Sequence, residues 1–221
     1  MRTTLPSLLP AMGFLLVAGR GLALFLVLVL VPAAAQTGER VVLVVGDSLS
    51  AAYNMEREQG WVYLLRDRLE SEYPGWTAAN ASITGDTTRG GLSRLPRALQ
   101  EHDPDVVLIA LGGNDGLRGI APDEIRANLE QMIGLATAAG ADVVLAGVRI
   151  PANYGPAYTR RFEQTFHQVA EEHGLPLLPS ILTDVEERNE LFQNDGIHPS
   201  ADAQPLILDN VWPVLRPVIE G

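Results

Sequence analysis

Arg40–Val45 (RVVLVV) leads without interruption into Gly46-Asp47-Ser48, and this stretch decides the fold. A strand with one wet face alternates apolar and polar side chains. A short β-branched run that does not alternate belongs to a sheet covered on both faces, which is the usual condition of parallel strands. Asp105–Leu111 (DVVLIAL) and Asp142–Val148 (DVVLAGV) repeat the pattern. Trp76–Ser82 and Leu175–Leu178 read as two weaker strands.

The segments between these runs are spaced for helices. Trp61–Tyr73 carries apolar residues at 61, 62, 64, 65, 69 and 73 with charges between, an amphipathic helix closed by Pro74-Gly75. Gly91–His102 has leucines at 92, 95 and 99, with Pro96 marking a kink or a first turn. Pro122–Ala139 opens on a proline and two acids, which suit a helix N-terminus. Tyr158–His173 stops at Gly174. Residues 180–200 read as irregular around a short helix. Ala203–Ile219 closes the chain as a helix broken near Pro213 and Pro217. Strands alternating with helices predict a three-layer α/β/α sandwich on a parallel sheet, with five strands and about five helices.

The chain has 221 residues, room for one domain with a full core. It contains no cysteine and no lysine; all 16 cationic side chains are arginine. Without lysine there is no phosphate-loop lysine and no Schiff-base chemistry. Without cysteine there is no thiol nucleophile, disulfide, thiolate metal site or lipidated cysteine. A net charge of −11 opposes nucleic-acid partners and anionic membrane surfaces. A histidine base must be His102, His167, His173 or His198. The first three fall in or at the ends of amphipathic helices and read as surface residues.

Residues 1–35 read as a secretory signal peptide: Arg2 and Arg20, no acid, ten apolar residues from Leu22 to Val31, then Pro32 and three alanines. The expected cut is Ala35–Gln36, leaving 36–221 as the functional domain, periplasmic or secreted, with no stable membrane anchor. Ten apolar residues are too few to span a bilayer. Cleavage removes two positive charges and no acid, so the mature net charge is −13.

In parallel α/β folds, sites lie beyond the carboxyl ends of the strands. Gly46-Asp47-Ser48, Gly85-Asp86, Gly112-Gly113-Asn114-Asp115 and the pair Asp195 and His198 all fall there. Ser48 is expected at the start of a helix, as a nucleophile or simply as an N-cap. Asp195-Gly-Ile-His198 supplies what a nucleophilic serine needs: an imidazole base and a carboxylate fixing its tautomer. Gly196 allows the tight turn and Pro199 stiffens its exit. Asn114 offers an amide to a developing oxyanion, and Gly85 a backbone N–H. Alone, GGND is a polar turn and Gly85 a turn glycine.

In this order the blocks resemble those of the SGNH (GDSL) hydrolase family. GDSLSAAY, NASITGDT, LGGNDGLRG, PANYG and DGIHPSADAQP are similar to its bacterial periplasmic thioesterase I / protease I / lysophospholipase (arylesterase) subgroup, over about residues 40–219. The resemblance implies Ser48 as nucleophile, His198 as base and Asp195 as its orienter. It implies an oxyanion hole from the Ser48 and Gly85 N–H groups with the Asn114 amide, and a flavodoxin-like sheet order 2-1-3-4-5. It also places Ile150, Pro151 and Tyr154 at the acyl pocket. The expected substrates are small acyl esters and thioesters, cleaved by a monomer through an acyl-enzyme with no metal or organic cofactor. The alternatives are a carbohydrate O-acetylesterase of the same superfamily and a non-catalytic periplasmic binding module in which Ser48 is only a cap.

Overall fold

Val42, Leu43, Val44 and Val45 are each fully buried, but they face two different cores. Val42 and Val44 pack into one apolar cluster with Trp61, Leu65 and Leu69 of the first helix and Ile207, Val211 and Leu215 of the last. Leu43 and Val45 pack into a second cluster with Leu95, Ile125, Met132, Phe162 and Phe166. The unbroken apolar run is thus the signature of a strand with helices on both sides.

The structure, a computed structural model, describes residues 38–221. The expected signal peptide lies outside the described residues. Strands β1 (Arg40–Gly46), β2 (Trp76–Asn80), β3 (Val106–Ala110), β4 (Asp142–Ala146) and β5 (Leu177–Leu178) form one parallel sheet. Its order is β2-β1-β3-β4-β5, as the family resemblance implied. Helices α1 (Trp61–Glu72) and α6 (Gln204–Glu220) cover one face. Helices α2 (Thr88–His102), α4 (Pro122–Ala138) and α5 (Pro156–His173) cover the other. Among the described residues, no helix is long and apolar enough to cross a membrane.

Four local expectations are corrected. Helix α6 is not broken at Pro213 or Pro217. Both prolines lie on its exposed side, where water satisfies the carbonyls that lose an N–H partner, while Ile207, Val211, Leu215 and Ile219 hold the buried side. Helix α2 likewise continues through the exposed Pro96, and it starts at Thr88 because the Thr87 side chain accepts the Gly90 N–H. Ser48 does not begin a helix: residues 48–54 are turns, and the first α-helix after β1 starts at Trp61. The GGND segment is no open turn but opens a short helix, α3 (Gly113–Leu117).

Candidate active site

The Ser48 turn is built around Asp47. Its carbonyl accepts the N–H groups of Ser50 and Ala51, and its Oδ1 accepts the Leu49 N–H at 3.0 Å. This folds the chain sharply at the end of β1 and leaves Ser48, half-buried, at the sheet's carboxyl edge. The N-cap alternative for Ser48 therefore falls away, because no helix begins there.

The Asp195–His198 turn is closed by its own carboxylate. Asp195 Oδ1 accepts the N–H groups of Ile197 (2.9 Å) and His198 (3.0 Å), and Gly196 takes the left-handed conformation (φ 66°) that the turn requires. Asp195 Oδ2 lies 2.7 Å from His198 Nδ1, and His198 Nε2 lies 2.9 Å from Ser48 Oγ. With Nδ1–H donating to the carboxylate, Nε2 is left as acceptor for the serine proton. The His198 backbone N–H, the imidazole and the Ile197 N–H together hold the Asp195 carboxyl down at about 2. It is therefore ionised at neutral pH. The other three histidines lie elsewhere; His167 and His173 are exposed and His102 is half-buried.

Asn114 is carried by α3, and α3 is anchored by the next residue. Asp115, fully buried, accepts the Thr88 N–H (2.9 Å) and hydroxyl (2.5 Å) from the start of α2, and Thr88 accepts the Asn128 amide of α4 (3.0 Å). Burial pushes the Asp115 carboxyl up, against the pull of the Thr88 donors. Gly112, at φ 121°, has no alternative: a Cβ there would come within 2.7 Å of the Phe166 ring. The Asn114 Nδ2 donates to Asp47 Oδ2 at 3.2 Å, which orients the amide and leaves its second N–H free. Asp47 is 3 % exposed; desolvation pushes its carboxyl up to about 6, opposed by the Leu49 N–H and the Asn114 amide. Among the described residues the N–H groups of Ser48 and Gly85 have no acceptor. The Arg118 guanidinium, at the end of α3, donates to the Gly85 carbonyl at 2.9 Å.

A cavity of about 470 Å³ opens beside these groups. Ser48, Asn114 and His198 line it with an apolar wall that includes Leu49, Leu117, Val148, Ile150, Leu182 and Phe192, with Pro151 and Ile197 at hand. Ile150 and Pro151, expected at the acyl pocket, line this cavity. Tyr154 stands outside the lining, and its hydroxyl donates to the Leu117 carbonyl at 2.8 Å. It braces a wall residue and does not form the wall. Asp47 escaped the sequence reading, although its place before Ser48 was visible. Leu182 and Phe192 escaped it because they come from the irregular 180–200 segment, which has no periodicity to read.

A serine hydroxyl, imidazole and carboxylate in series, beside an amide donor and an apolar cavity, define a serine-dependent acyl hydrolase. The chain belongs to the GDSL-like Lipase/Acylhydrolase family, whose model matches residues 44–205. It is an esterase with the SGNH hydrolase fold. Esterase TesA of Pseudomonas aeruginosa is 48 % identical over 196 residues, covering 89 % of this chain and 96 % of that protein. Thioesterase 1/protease 1/lysophospholipase L1 of Escherichia coli K12 is 43 % identical over 196 residues, covering 89 % of this chain and 91 % of its own. The crystal structure of TesA superposes with a TM-score of 0.78 at 48 % identity, covering 81 % of this chain and 99 % of that one.

Proposed function

We propose that this enzyme hydrolyses esters and thioesters of medium to long acyl chains through an acyl-enzyme on Ser48. The observation that carries the proposal is the relay from Asp195 through His198 to Ser48 opening onto an apolar cavity of about 470 Å³. Ser48 Oγ forms a bond to the acyl carbon as its proton passes to His198 Nε2. The carbonyl oxygen, now anionic, takes hydrogen bonds from the Ser48 and Gly85 N–H groups and the free Asn114 N–H. The tetrahedral species collapses as His198 gives the proton to the departing alcohol or thiol. A water molecule, giving its proton to His198, then bonds to the acyl carbon, and the acyl–Oγ bond breaks as His198 returns the proton to Ser48 Oγ, releasing the acid. Asp195 stays ionised throughout and holds the imidazole tautomer.

The acyl chain lies along Leu49, Ile150, Leu182 and Phe192, gaining up to about 0.8 kcal/mol per buried CH₂. The relatives named as an esterase and as a thioesterase/lysophospholipase support both leaving-group types. The site is completed by residues of one chain, which supports a monomer. The leader-like residues 1–35 support export to the periplasm or beyond, with Gln36 as the mature N-terminus. N-terminal sequencing of the exported protein checks the cut. A panel of p-nitrophenyl esters from C2 to C12, with a lysophospholipid and an acyl thioester, checks the substrate class. kcat/KM should rise with chain length until the cavity is filled. A steep fall beyond C2, with acetylated polysaccharide as the best substrate, would replace this proposal with an O-acetylesterase.

A further inference from the structure

We propose that Tyr53 and Gln193 form a clamp that positions the His198 imidazole, making both of them positioning residues for the reaction. The inference rests on Ser48 and His198 acting as nucleophile and base. The two contacts that hold the imidazole, to Asp195 Oδ2 and Ser48 Oγ, are made at its ring nitrogens, whose N–H bond and lone pair lie in the ring plane. Such contacts resist movement within the plane better than movement out of it. Tyr53 supplies the missing constraint. Its ring lies over the imidazole with centroids 4.1 Å apart and planes inclined at 35°.

Tyr53 sits in a turn with two left-handed residues. The residues on either side, Ala52 and Asn54, both have φ of 54°, in the left-handed region, which Asn tolerates but Ala disfavours. Backbone of this kind persists where the surroundings over-determine it. The Gln193 side chain does so. Its Nε2 donates to the Tyr53 carbonyl at 2.9 Å and to the Pro199 carbonyl at 3.0 Å, and its Oε1 accepts the Asn54 amide at 3.2 Å. The Gln193 backbone N–H donates to the His198 carbonyl at 2.8 Å. One amide, with both donors and its acceptor engaged, ties the turn that carries Ser48 to the turn that carries His198. A glutamate would lack the donors, and a methionine would keep the shape without any of the bonds.

Neither residue lines the apolar cavity. They border a separate polar hollow that Asp195 also lines. Their effect should therefore fall on the proton transfers, where a small misplacement of the base is expensive, and not on substrate binding.

The test is steady-state kinetics of the purified enzyme on soluble p-nitrophenyl butyrate, with Tyr53→Phe, Tyr53→Leu, Gln193→Met and the Tyr53→Leu/Gln193→Met double variant. Circular dichroism and the unfolding midpoint verify folding. Tyr53→Phe should keep kcat within about twofold, because the ring face remains. Tyr53→Leu and Gln193→Met should each lower kcat about tenfold or more with KM little changed. The double variant should be no slower than about the worse single one, because both act through one contact. The clamp is overturned if Tyr53→Leu or a folded Gln193→Met retains kcat, if Tyr53→Phe loses as much as Tyr53→Leu, if the losses appear in KM, or if they multiply in the double variant. The Tyr53 pair decides the matter even where Gln193→Met does not fold. Failure of the clamp leaves covalent labelling of Ser48 by a phosphonate intact, whereas failure of the nucleophile assignment abolishes it.

Discussion

His198 Nε2 stands 2.9 Å from Ser48 Oγ although 150 residues separate them in sequence. The contact follows from the topology. β1 occupies the interior of the sheet, between β2 and β3, so the turn after it emerges at the middle of the carboxyl edge. The chain leaves β5 at the sheet's far side and must return across that edge to lay α6 beside α1. The Asp195–His198 turn lies on that return path. The distance is therefore a consequence of strand order together with the packing of α6, and the two short motifs alone would not produce it.

Ser48→Ala should abolish turnover and leave the fold intact, because a smaller residue replaces serine in a turn held by Asp47. Loss of a triad member costs on the order of 10⁴–10⁶ in rate. Esterase assays on a preparation free of wild-type enzyme, alongside circular dichroism, check this. Substantial residual activity would sink the assignment.

Asn114→Ala should lower kcat roughly 10²–10³-fold and largely spare KM, because its amide bonds most strongly to the oxyanion of the transition state. Asn114→Asp should be no better, since a carboxylate repels the oxyanion and also faces Asp47 Oδ2. If Asn114→Ala raises KM with kcat unchanged, Asn114 binds substrate and does not stabilise the transition state.

Asp47 links activity to stability. Its carboxyl titrates at about 6 in the fold, above the ordinary value of 3.8, chiefly through desolvation. Between those two pH values the native state holds a proton that the unfolded chain has already lost. The Asp47 contribution to stability therefore falls as pH rises from about 4 to above 6, by roughly 2–3 kcal/mol. Asp47→Asn lacks this titration. Its unfolding midpoint, relative to wild type, should be more favourable at pH 7.5 than at pH 4. Its kcat should fall about tenfold, because one amide oxygen must serve two donors, the Leu49 N–H and the Asn114 amide. A midpoint difference that does not change with pH would contradict the buried charge.

Charge should separate substrates that share an acyl chain. The 36–221 chain carries a net −13, a field that disfavours polyanionic donors such as acyl-CoA at low ionic strength and weakens as salt screens it. kcat/KM for a long-chain acyl-CoA should rise with added salt, while that for a neutral p-nitrophenyl ester of the same chain stays nearly level. Parallel salt responses would argue against electrostatic discrimination.

Much of this site was legible because its chemistry sits in short blocks at strand ends. The β-branched runs at 40–45, 105–111 and 142–148 show doubly covered strands, and Ser48, Asn114, Asp195 and His198 follow where such a sheet exposes its carboxyl edge. What was not legible depends on contacts between distant segments. The α3 helix is too short for periodicity, and its anchor, Asp115 against Thr88, appears only once α2 lies beside it. Pro213 and Pro217 suggested a break because sequence does not say which carbonyls face water. Tyr154 seemed a pocket residue by its place in PANYG, but a hydrogen bond to the Leu117 carbonyl turns it to support a wall residue. The clamp through Gln193 joins residues 139 and 140 positions apart, beyond any local pattern.

The central claim is that Ser48, activated by His198, is the residue that becomes acylated. Incubation with diethyl p-nitrophenyl phosphate followed by mass spectrometry tests it most directly, because the reagent phosphorylates an activated serine and leaves an ordinary hydroxyl untouched. The triad predicts one diethylphosphoryl group per chain, located on Ser48, with loss of esterase activity in step with labelling and no adduct in Ser48→Ala. An active enzyme that takes up no label, or label on another residue that persists in Ser48→Ala, would contradict it.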